Sequence, residues 1–323
     1  MPIIHQSTYK RAPFYQFNGH LQTIFPSTFR KIEVSYERER LELKDGDFID
    51  LDWIDRSSKN LAILSHGLEG NSQRTYILGM AKLFKEKGWD VLAWNCRSCS
   101  EEINRTFRLY NHGDIEDLGT IIQHALSLKD YEKVVLVGYS MGGNMTLKYL
   151  GTQGDELPDP IKGGIAFSTP CDLEESSNTL DKPSNFIYRK KFLTRLQEKI
   201  GKKEEQFPGS IDMSNFEKIK VWRDFDHFFS APLSGCDTVD DFYRYCSAKN
   251  YVSGVQVPTL LVNAQNDPIL TPACSPLAIA KSHPYFYLET PKQGGHVGFA
   301  WPGRSFTWSE WRVMNFLETV VEG

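Results

Sequence analysis

Short apolar runs alternate with longer amphipathic segments along most of the chain. The short runs, rich in Val, Ile and Leu, are typical of buried strands, and the longer segments with one apolar face are typical of helices. This alternation predicts an α/β fold with a mainly parallel central sheet and helices on both faces. Strands are predicted over 61–65, 90–94, 133–137, 163–168, 259–263 and 285–288, and helices over 76–87, 114–128 and 308–321.

Two features frame this regular region. Ahead of it, the segments 32–42 and 48–53, joined by the turn Asp45-Gly46-Asp47, predict an antiparallel hairpin. Within it, the interval 171–257 breaks the alternation and contains a charged helical run over 189–203. This interval is therefore expected to be an insertion into the sheet domain.

One serine lies at the turn between a predicted strand and a predicted helix. The sequence Gly138-Tyr139-Ser140-Met141-Gly142 follows the apolar run 133–137 and precedes a helical segment over 143–150. Glycines on both sides of a serine at such a turn form a nucleophile elbow, in which a strained backbone exposes the hydroxyl. The pattern predicts that Ser140 is a nucleophile.

Two later residues provide the groups that a serine nucleophile needs. Asp267 lies in the polar turn after the strand 259–263, and His296 lies in the glycine-rich segment 294–298. A hydroxyl requires a general base such as imidazole, and the imidazole requires a carboxylate that fixes its tautomer. The order Ser, Asp, His along the chain is the one found in α/β hydrolases. We therefore predict a catalytic triad of Ser140, Asp267 and His296.

A second aspartate competes for the third position of this triad. Asp172 follows the predicted strand 163–168, and some enzymes of this fold take their acid from that place. Asp267 is preferred because it ends the strand that usually supplies the acid.

An oxyanion hole is predicted from two backbone N–H groups. Leu68 follows His66-Gly67 at the end of the strand 61–65, and Met141 follows the nucleophile. Donors at these two positions can stabilise the developing oxyanion of a tetrahedral intermediate. The ring of His66 is expected to satisfy loop carbonyls rather than to act in catalysis.

These motifs, in this order, resemble those of the YheT/EMB8 branch of the α/β-hydrolase superfamily. The resemblance covers about residues 10 to 315 and includes the catalytic motifs and the segments 19–24, 104–114 and 223–233. It implies the α/β-hydrolase fold, in one domain over 1–323 with an N-terminal arm over 1–31. One departure is Ser98, which follows Arg97 where relatives usually carry glycine, so the shape of that loop does not follow from the resemblance.

In this fold an insertion at 171–257 commonly forms a helical cap over the active site. Its aromatic residues Phe225, Phe228 and Phe229 are expected to pack in the core more often than to line a substrate pocket. The charged residues between and before them, Arg223, Asp224 and Asp226, are expected to form a salt-bridged surface or a hinge of the cap.

His20 allows three interpretations. It could line the mouth of the active site, brace the cap, or dock the N-terminal arm on the core, and docking is favoured because one histidine has many structural uses.

Composition and charge restrict the function. At 323 residues, 40% hydrophobic and 24% charged, the chain can bury a large core. Its net charge of −4 gives no basic surface for nucleic acid, and no apolar stretch approaches the roughly 18 residues that span a bilayer. The first residues, Met1 to Gln6, lack the regions of a secretory signal, so a cytoplasmic location is expected.

The six cysteines do not suggest a disulfide framework in a chain of this length. Cys96 and Cys99 form a single C-x-x-C without a second pair, so a zinc site is not expected and a structural or incidental role is favoured.

The function predicted from these residues is that of a serine hydrolase of the carboxylesterase or acylglycerol lipase type, acting on a small-molecule or lipid-like ester. No metal or organic cofactor is expected. Thioesterase, amidase or phospholipase activity uses the same triad and remains an alternative, as does a binding protein on a hydrolase fold that has lost catalysis. The sequence does not determine the physiological substrate or the oligomeric state.

Overall fold

The computed structural model describes residues 3–321, and the four terminal residues 1, 2, 322 and 323 lie outside the described part. Nine strands form one sheet in the order β1-β9-β8-β7-β6-β4-β5-β3-β2. They are β1 (Ile3–Ile4), β2 (Glu37–Glu42), β3 (Phe48–Ile54), β4 (Asn60–Ser65), β5 (Asp90–Trp94), β6 (Lys133–Tyr139), β7 (Ile161–Phe167), β8 (Thr259–Val262) and β9 (Phe286–Glu289).

The pairing within the sheet confirms the predicted α/β architecture. Strands β5, β4, β6, β7, β8, β9 and β1 are mutually parallel. At the other edge β3 is antiparallel to β5, and β2 is antiparallel to β3, as the opening hairpin predicts. The first strand of that hairpin was predicted too long, because it begins at Glu37 rather than at residue 32.

Helices connect the strands and cover both faces of the sheet. They are α1 (Gly19–Phe29), α2 (Thr75–Glu86), α3 (Glu116–Leu128), α4 (Met141–Gln153), α5 (Leu173–Leu180), α6 (Phe186–Gln206), α7 (Trp222–Phe225), α8 (Ala231–Leu233), α9 (Val239–Cys246), α10 (Leu277–Ala280) and α11 (Trp308–Phe316). After α11 the chain continues as a π-helical turn over Leu317–Val321, so the predicted closing helix 308–321 changes its winding in the last turns.

The core consists of two apolar layers, one on each face of the sheet. Along β4, Ala62 and Leu64 pack with residues of α2 and α11, whereas Leu61 and Ile63 pack with residues of α3 and α4. Because both faces are covered, the parallel strands are apolar at nearly every position, which explains why the sequence shows them as continuous runs.

Helices α5 to α9 lie in the insertion between β7 and β8. Phe225 and Phe229 are buried in its apolar cluster together with Ile269, which lies two residues after Asp267. The expected core position of these two aromatic residues is confirmed, and Phe228 packs against the cluster half-buried. The insertion therefore packs directly on the loop that carries the predicted acid.

The charged residues of the insertion divide between surface and interior. Arg223 forms ion pairs with Glu174 and Asp240, as expected for a salt-bridged surface. The same expectation is wrong for Asp226, whose carboxylate is buried and accepts hydrogen bonds from Ser230 Oγ at 2.6 Å and from Tyr243 Oη at 2.9 Å. Burial raises the pKa of Asp226 to about 7.

The loop after β5 contains the residue that departs from the family pattern. Ser98 adopts a left-handed conformation with φ of 61°. Its Oγ accepts a hydrogen bond from the Asn104 N–H at 3.1 Å, and the adjacent Arg97 is buried between Asp47 and Asp117. The loop therefore keeps a backbone conformation that favours glycine, and local hydrogen bonds offset part of the strain.

Within residues 3–321 no helix is long and apolar enough to cross a membrane. In the same range no group of three or more His, Cys, Asp or Glu side chains is arranged to hold a metal ion. All six cysteines are free thiols, and Cys96 and Cys99 are buried.

Candidate active site

The predicted nucleophile lies on a sharp turn between β6 and α4. Ser140 has φ of 54° and ψ of −119°, a strained conformation for a residue with a side chain. Its flanking glycines are required by close contacts, since a Cβ on Gly138 would lie 2.2 Å from the Gly142 carbonyl oxygen and one on Gly142 would lie 2.3 Å from that of Ser65. The turn thus holds the Ser140 side chain at the end of the sheet, as the glycine pattern predicts.

The structure brings Ser140, His296 and Asp267 into one hydrogen-bonded chain. His296 Nε2 lies 2.9 Å from Ser140 Oγ, and His296 Nδ1 lies 2.8 Å from Asp267 Oδ2. The second oxygen of Asp267, Oδ1, accepts the backbone N–H of Ile269 at 2.8 Å. Because the carboxylate accepts at Nδ1, the imidazole carries its proton there and Nε2 is free to accept the proton of the serine.

Asp172, the competing acid, makes other contacts. Its carboxylate pairs with Lys249 and accepts the N–H of Glu175 as the N-cap of α5. The geometry therefore favours Asp267 over Asp172 as the partner of His296.

The loop of the predicted oxyanion donors lies against the nucleophile. A Cβ on Gly67 would be 3.1 Å from Ser140 Cβ, so the turn that leads to Leu68 passes directly beside the serine. Met141 is the first residue of α4, where the backbone N–H has no acceptor within the helix. Both predicted donors are therefore next to Ser140 in the structure.

His66 has the structural role expected from the sequence. Its Nε2 accepts the N–H of Cys96 at 3.0 Å, so the proton is on Nδ1, which donates to the Gly67 carbonyl oxygen at 2.7 Å. Burial lowers the pKa of His66 to about 4. The imidazole is thus neutral and fixes the turn before Leu68.

Helix α1 holds the loops of the predicted acid and base, a role that no pattern in the sequence indicates. Thr23 Oγ1 accepts the N–H of His296 at 2.8 Å. Gln22 Oε1 accepts from the N–H of Gly294 at 2.8 Å and from Asn266 Nδ2 at 2.9 Å. The motif Gly19 to Ile24 was noted only for its resemblance to relatives, and that was the available signal for these contacts.

His20, on the same helix, contacts the insertion. Its ring stacks on Tyr188 of α6 with the centroids 5.7 Å apart, and Nδ1 lies 3.2 Å from the tyrosine hydroxyl. Of the three interpretations of His20, the structure favours the one in which it braces the inserted helices.

Ser140 and His296 open into a cavity of about 320 Å³. Residues of α1, α6 and the loop after Asp267 give it an apolar wall, which includes Ile24, Ile187, Phe192 and Ile269. The charged residues that line it are all cationic, and no motif in the sequence indicates them. They are Arg30, Arg74, Lys191 and Arg195.

Comparison with known proteins agrees with the fold. The alpha/beta hydrolase fold family matches residues 62–302. The protein YheT of Escherichia coli (strain K12) is 31% identical over 94% of this chain and 92% of its own length. The phospholipase ABHD3 of Homo sapiens is 31% identical over 99% of this chain and 81% of its own length.

Among solved structures, the esterase Pf2001 of Pyrococcus furiosus superposes with a TM-score of 0.57 at 18% identity, covering 90% of this chain and 97% of that chain. At this identity the likeness concerns the fold alone.

Proposed function

Because the chain belongs to the alpha/beta hydrolase family, in the branch of YheT and EMB8, we propose that it cleaves carboxylic esters through a covalent acyl-enzyme on Ser140. The observation that carries the proposal is the contact of Ser140 Oγ with His296 Nε2 at the edge of an open cavity, with Asp267 behind the imidazole. The relatives of this branch support a hydrolase that acts on esters.

In the first half of the reaction, His296 accepts the proton of Ser140 as the oxygen attacks the ester carbonyl. The negative oxygen of the tetrahedral intermediate accepts the N–H groups of Leu68 and Met141. Asp267 stabilises the imidazolium that forms. The intermediate then collapses when His296 donates its proton to the departing alcohol, which leaves the acyl group on Ser140.

In the second half, a water molecule gives its proton to His296 and attacks the acyl carbonyl. The same N–H groups hold the second tetrahedral intermediate, and its collapse returns the proton to Ser140 and releases the acid. The imidazole of His296 thus accepts and returns the proton in both halves of the reaction. These transfers require the contact between Ser140 and His296.

The direct test uses a fluorophosphonate probe and a series of p-nitrophenyl esters from acetate to palmitate. The natural chain should be labelled and should hydrolyse part of the series, and Ser140→Ala should lose both properties while it unfolds cooperatively like the natural chain. Activity of Ser140→Ala within about tenfold of the natural chain would exclude Ser140 as the nucleophile.

Other acyl substrates are compatible with the same triad. Thioesters, amides and phospholipids differ from simple esters in the leaving group, and the contacts that distinguish them lie in the cavity rather than in the triad. Phospholipid hydrolysis is the second candidate, since ABHD3 is named a phospholipase and the cavity is cationic. A binding protein without catalysis would fail to react with the fluorophosphonate.

We also propose that the insertion 171–257 acts as a cap, which is supported by the position of Ile187 and Phe192 of α6 in the wall of the cavity. A cytoplasmic location stays a prediction from the sequence, and fractionation of cells that produce the tagged chain would test it.

A further inference from the structure

We propose that the cavity contains a binding site for an oxyanion group of the substrate, formed by Arg74, Lys191 and Arg195. The preferred substrates are then amphiphilic esters that carry a phosphate or a carboxylate in addition to the scissile ester. The inference rests on the proposed function, because it concerns the same cavity and the same reaction.

The charge of the cavity is the first observation. Among the residues that line it, four are cationic and none is acidic, although the whole chain carries a net charge of −4. Arg30 is compensated, because Glu310 binds its guanidinium through both carboxylate oxygens at 2.5 and 2.8 Å. Within residues 3–321 the other three cations form no ion pair. The cavity therefore has an excess of positive charge that the described protein does not neutralise.

The backbone of Glu69 brings two of these cations together. Its carbonyl oxygen accepts from Arg74 Nη2 at 2.5 Å and lies 3.4 Å from Arg195 Nη1. Glu69 has φ of 52°, a left-handed conformation that a non-glycine residue adopts only under local constraint. Arg74 precedes α2 and Arg195 lies in α6, so the contact joins the sheet domain to the insertion.

The acidic side chain of the same loop, that of Glu69, has other partners. The Glu69 carboxylate binds Lys199 Nζ at 2.6 Å and the hydroxyl of Tyr110. It does not compensate Arg74 or Arg195, whose guanidinium groups retain most of their five N–H donors. Such donors in a fixed arrangement match the geometry of phosphate and carboxylate groups.

Lys191 completes the cluster one helical turn before Arg195. Partial burial and the positive charges of Arg195 and Arg74 lower the pKa of Lys191. Like charges held together in this way destabilise one another, and an anion bound among them removes that repulsion. The N-terminus of α2, at Thr75, lies in the same wall and adds backbone N–H groups that favour an anion.

The position of the cluster indicates which part of a substrate it would hold. Glu69 directly follows Leu68, the predicted oxyanion donor, so the anion site and the reacting carbonyl share one loop. The apolar side chains Ile24, Ile187 and Phe192 line the same cavity. A substrate fits this arrangement when its ester lies between an apolar chain and an anionic group.

The test compares esters that differ only in the anionic group. 1-Hexanoylglycerol and its 3-phosphate place the charge on the alcohol, and p-nitrophenyl pentanoate and mono-p-nitrophenyl glutarate place it on the acyl chain. We expect a higher kcat/KM for the anionic ester in at least one pair, and a loss of that preference as NaCl is raised, because salt screens charges at an open site. Equal or faster hydrolysis of the neutral ester in both pairs would overturn the proposal.

Variants assign the preference to the cluster. Lys191→Gln and Arg195→Gln should each reduce the ratio of anionic to neutral kcat/KM by about tenfold to 100-fold, the range of one charge-assisted contact. The matched control is Lys190→Gln, since Lys190 lies on the same helix, is exposed and is not part of the cavity wall, and its ratio should stay that of the natural chain. If the cations only stabilised the oxyanion of the reaction, each variant would hydrolyse both esters more slowly by the same factor. The ratio of anionic to neutral kcat/KM would then stay unchanged, which would contradict the proposal.

Inorganic phosphate tests whether the site binds an anionic group of the substrate or a free anion. At constant ionic strength it should inhibit hydrolysis of the preferred anionic ester competitively. Activation of neutral ester hydrolysis by phosphate, without any preference for anionic esters, would mean that the site takes a free anion, and the substrate assignment would be wrong. Loss of the proposed function is recognised separately, because the neutral ester would then be hydrolysed equally by the natural chain and by Ser140→Ala.

Discussion

Replacing Asp267 by asparagine tests the triad most sharply, because the two carboxylate oxygens have different partners. Oδ2 accepts from His296 Nδ1 and Oδ1 accepts from the backbone N–H of Ile269, both at 2.8 Å. An asparagine has one carbonyl oxygen for these two positions. If it serves Ile269, its amide donates to Nδ1 and moves the imidazole proton to Nε2, where it blocks proton transfer from Ser140.

The size of the defect follows from two contributions. The orientation that keeps the active tautomer leaves the buried N–H of Ile269 opposite another donor, which costs about 1 to 3 kcal/mol. In that orientation a neutral amide also replaces the carboxylate beside the imidazolium, and a hydrogen bond to a charged group contributes about 1.5 to 3 kcal/mol. Together they raise the barrier by about 3 to 6 kcal/mol, which lowers kcat by about 10² to 10⁴.

Steady-state hydrolysis of one p-nitrophenyl ester, with thermal unfolding of each variant as the check on folding, measures this loss. Asp172→Asn is the matched control, because Asp172 pairs with Lys249 and has no contact with His296. The control should keep kcat within about threefold and lose about 1 kcal/mol of stability from a partly exposed ion pair. The reverse ranking would move the acid to Asp172, and near-natural kcat in both variants would refute the triad.

Three further predictions concern stability. Ser140→Gly should be more stable than Ser140→Ala by about 1 kcal/mol in urea unfolding, because glycine removes the strain at φ of 54° that alanine keeps, and equal stabilities would contradict it. Ser98→Gly should likewise exceed Ser98→Ala by about 1 kcal/mol, since both lose the bond from the Asn104 N–H but only alanine keeps the left-handed strain; equal stabilities of the two variants would be evidence against this. Burial raises the pKa of Asp226 to about 7, so its contribution to stability is present at low pH and lost as the pH rises through that value. Relative to Asp226→Asn, the natural chain should lose about 2 kcal/mol between about pH 5.5 and pH 8, and parallel pH profiles of urea unfolding would show that Asp226 does not titrate there.

The features that the sequence predicts well are those encoded in neighbouring residues. The buried strands and the turn at Ser140 depend on runs of apolar residues and on glycines within one segment, so the pattern defines them locally. The order of serine, aspartate and histidine adds topology, because in a parallel sheet the ends of these strands lie at one edge.

The features that it misses depend on contacts between distant segments. Helix α1 contains polar residues and Pro26 and buries only Gln22 completely, so it has no apolar face that a periodicity would reveal. In the cationic cluster, Arg74 and Arg195 both contact the backbone carbonyl oxygen of Glu69, a residue in the left-handed conformation. No residue near either arginine in the sequence indicates this contact. The charged neighbours of Asp226 in the sequence indicate a surface position. Its burial results from the packing of α9, which lies over it in the structure.

The candidate site depends on a contact between two segments that are distant in the chain, α1 and the loop that contains His296. Thr23 and His296 are 273 residues apart in the chain, so α1 is synthesised long before the loop that it holds. A segment limited to the family match at 62–302 contains Ser140, Asp267 and His296 but lacks the acceptors that Gln22 and Thr23 provide. The alignment of the three candidate residues therefore depends on a helix outside the segment that contains them, so the docking of α1 is a condition for the geometry of the site.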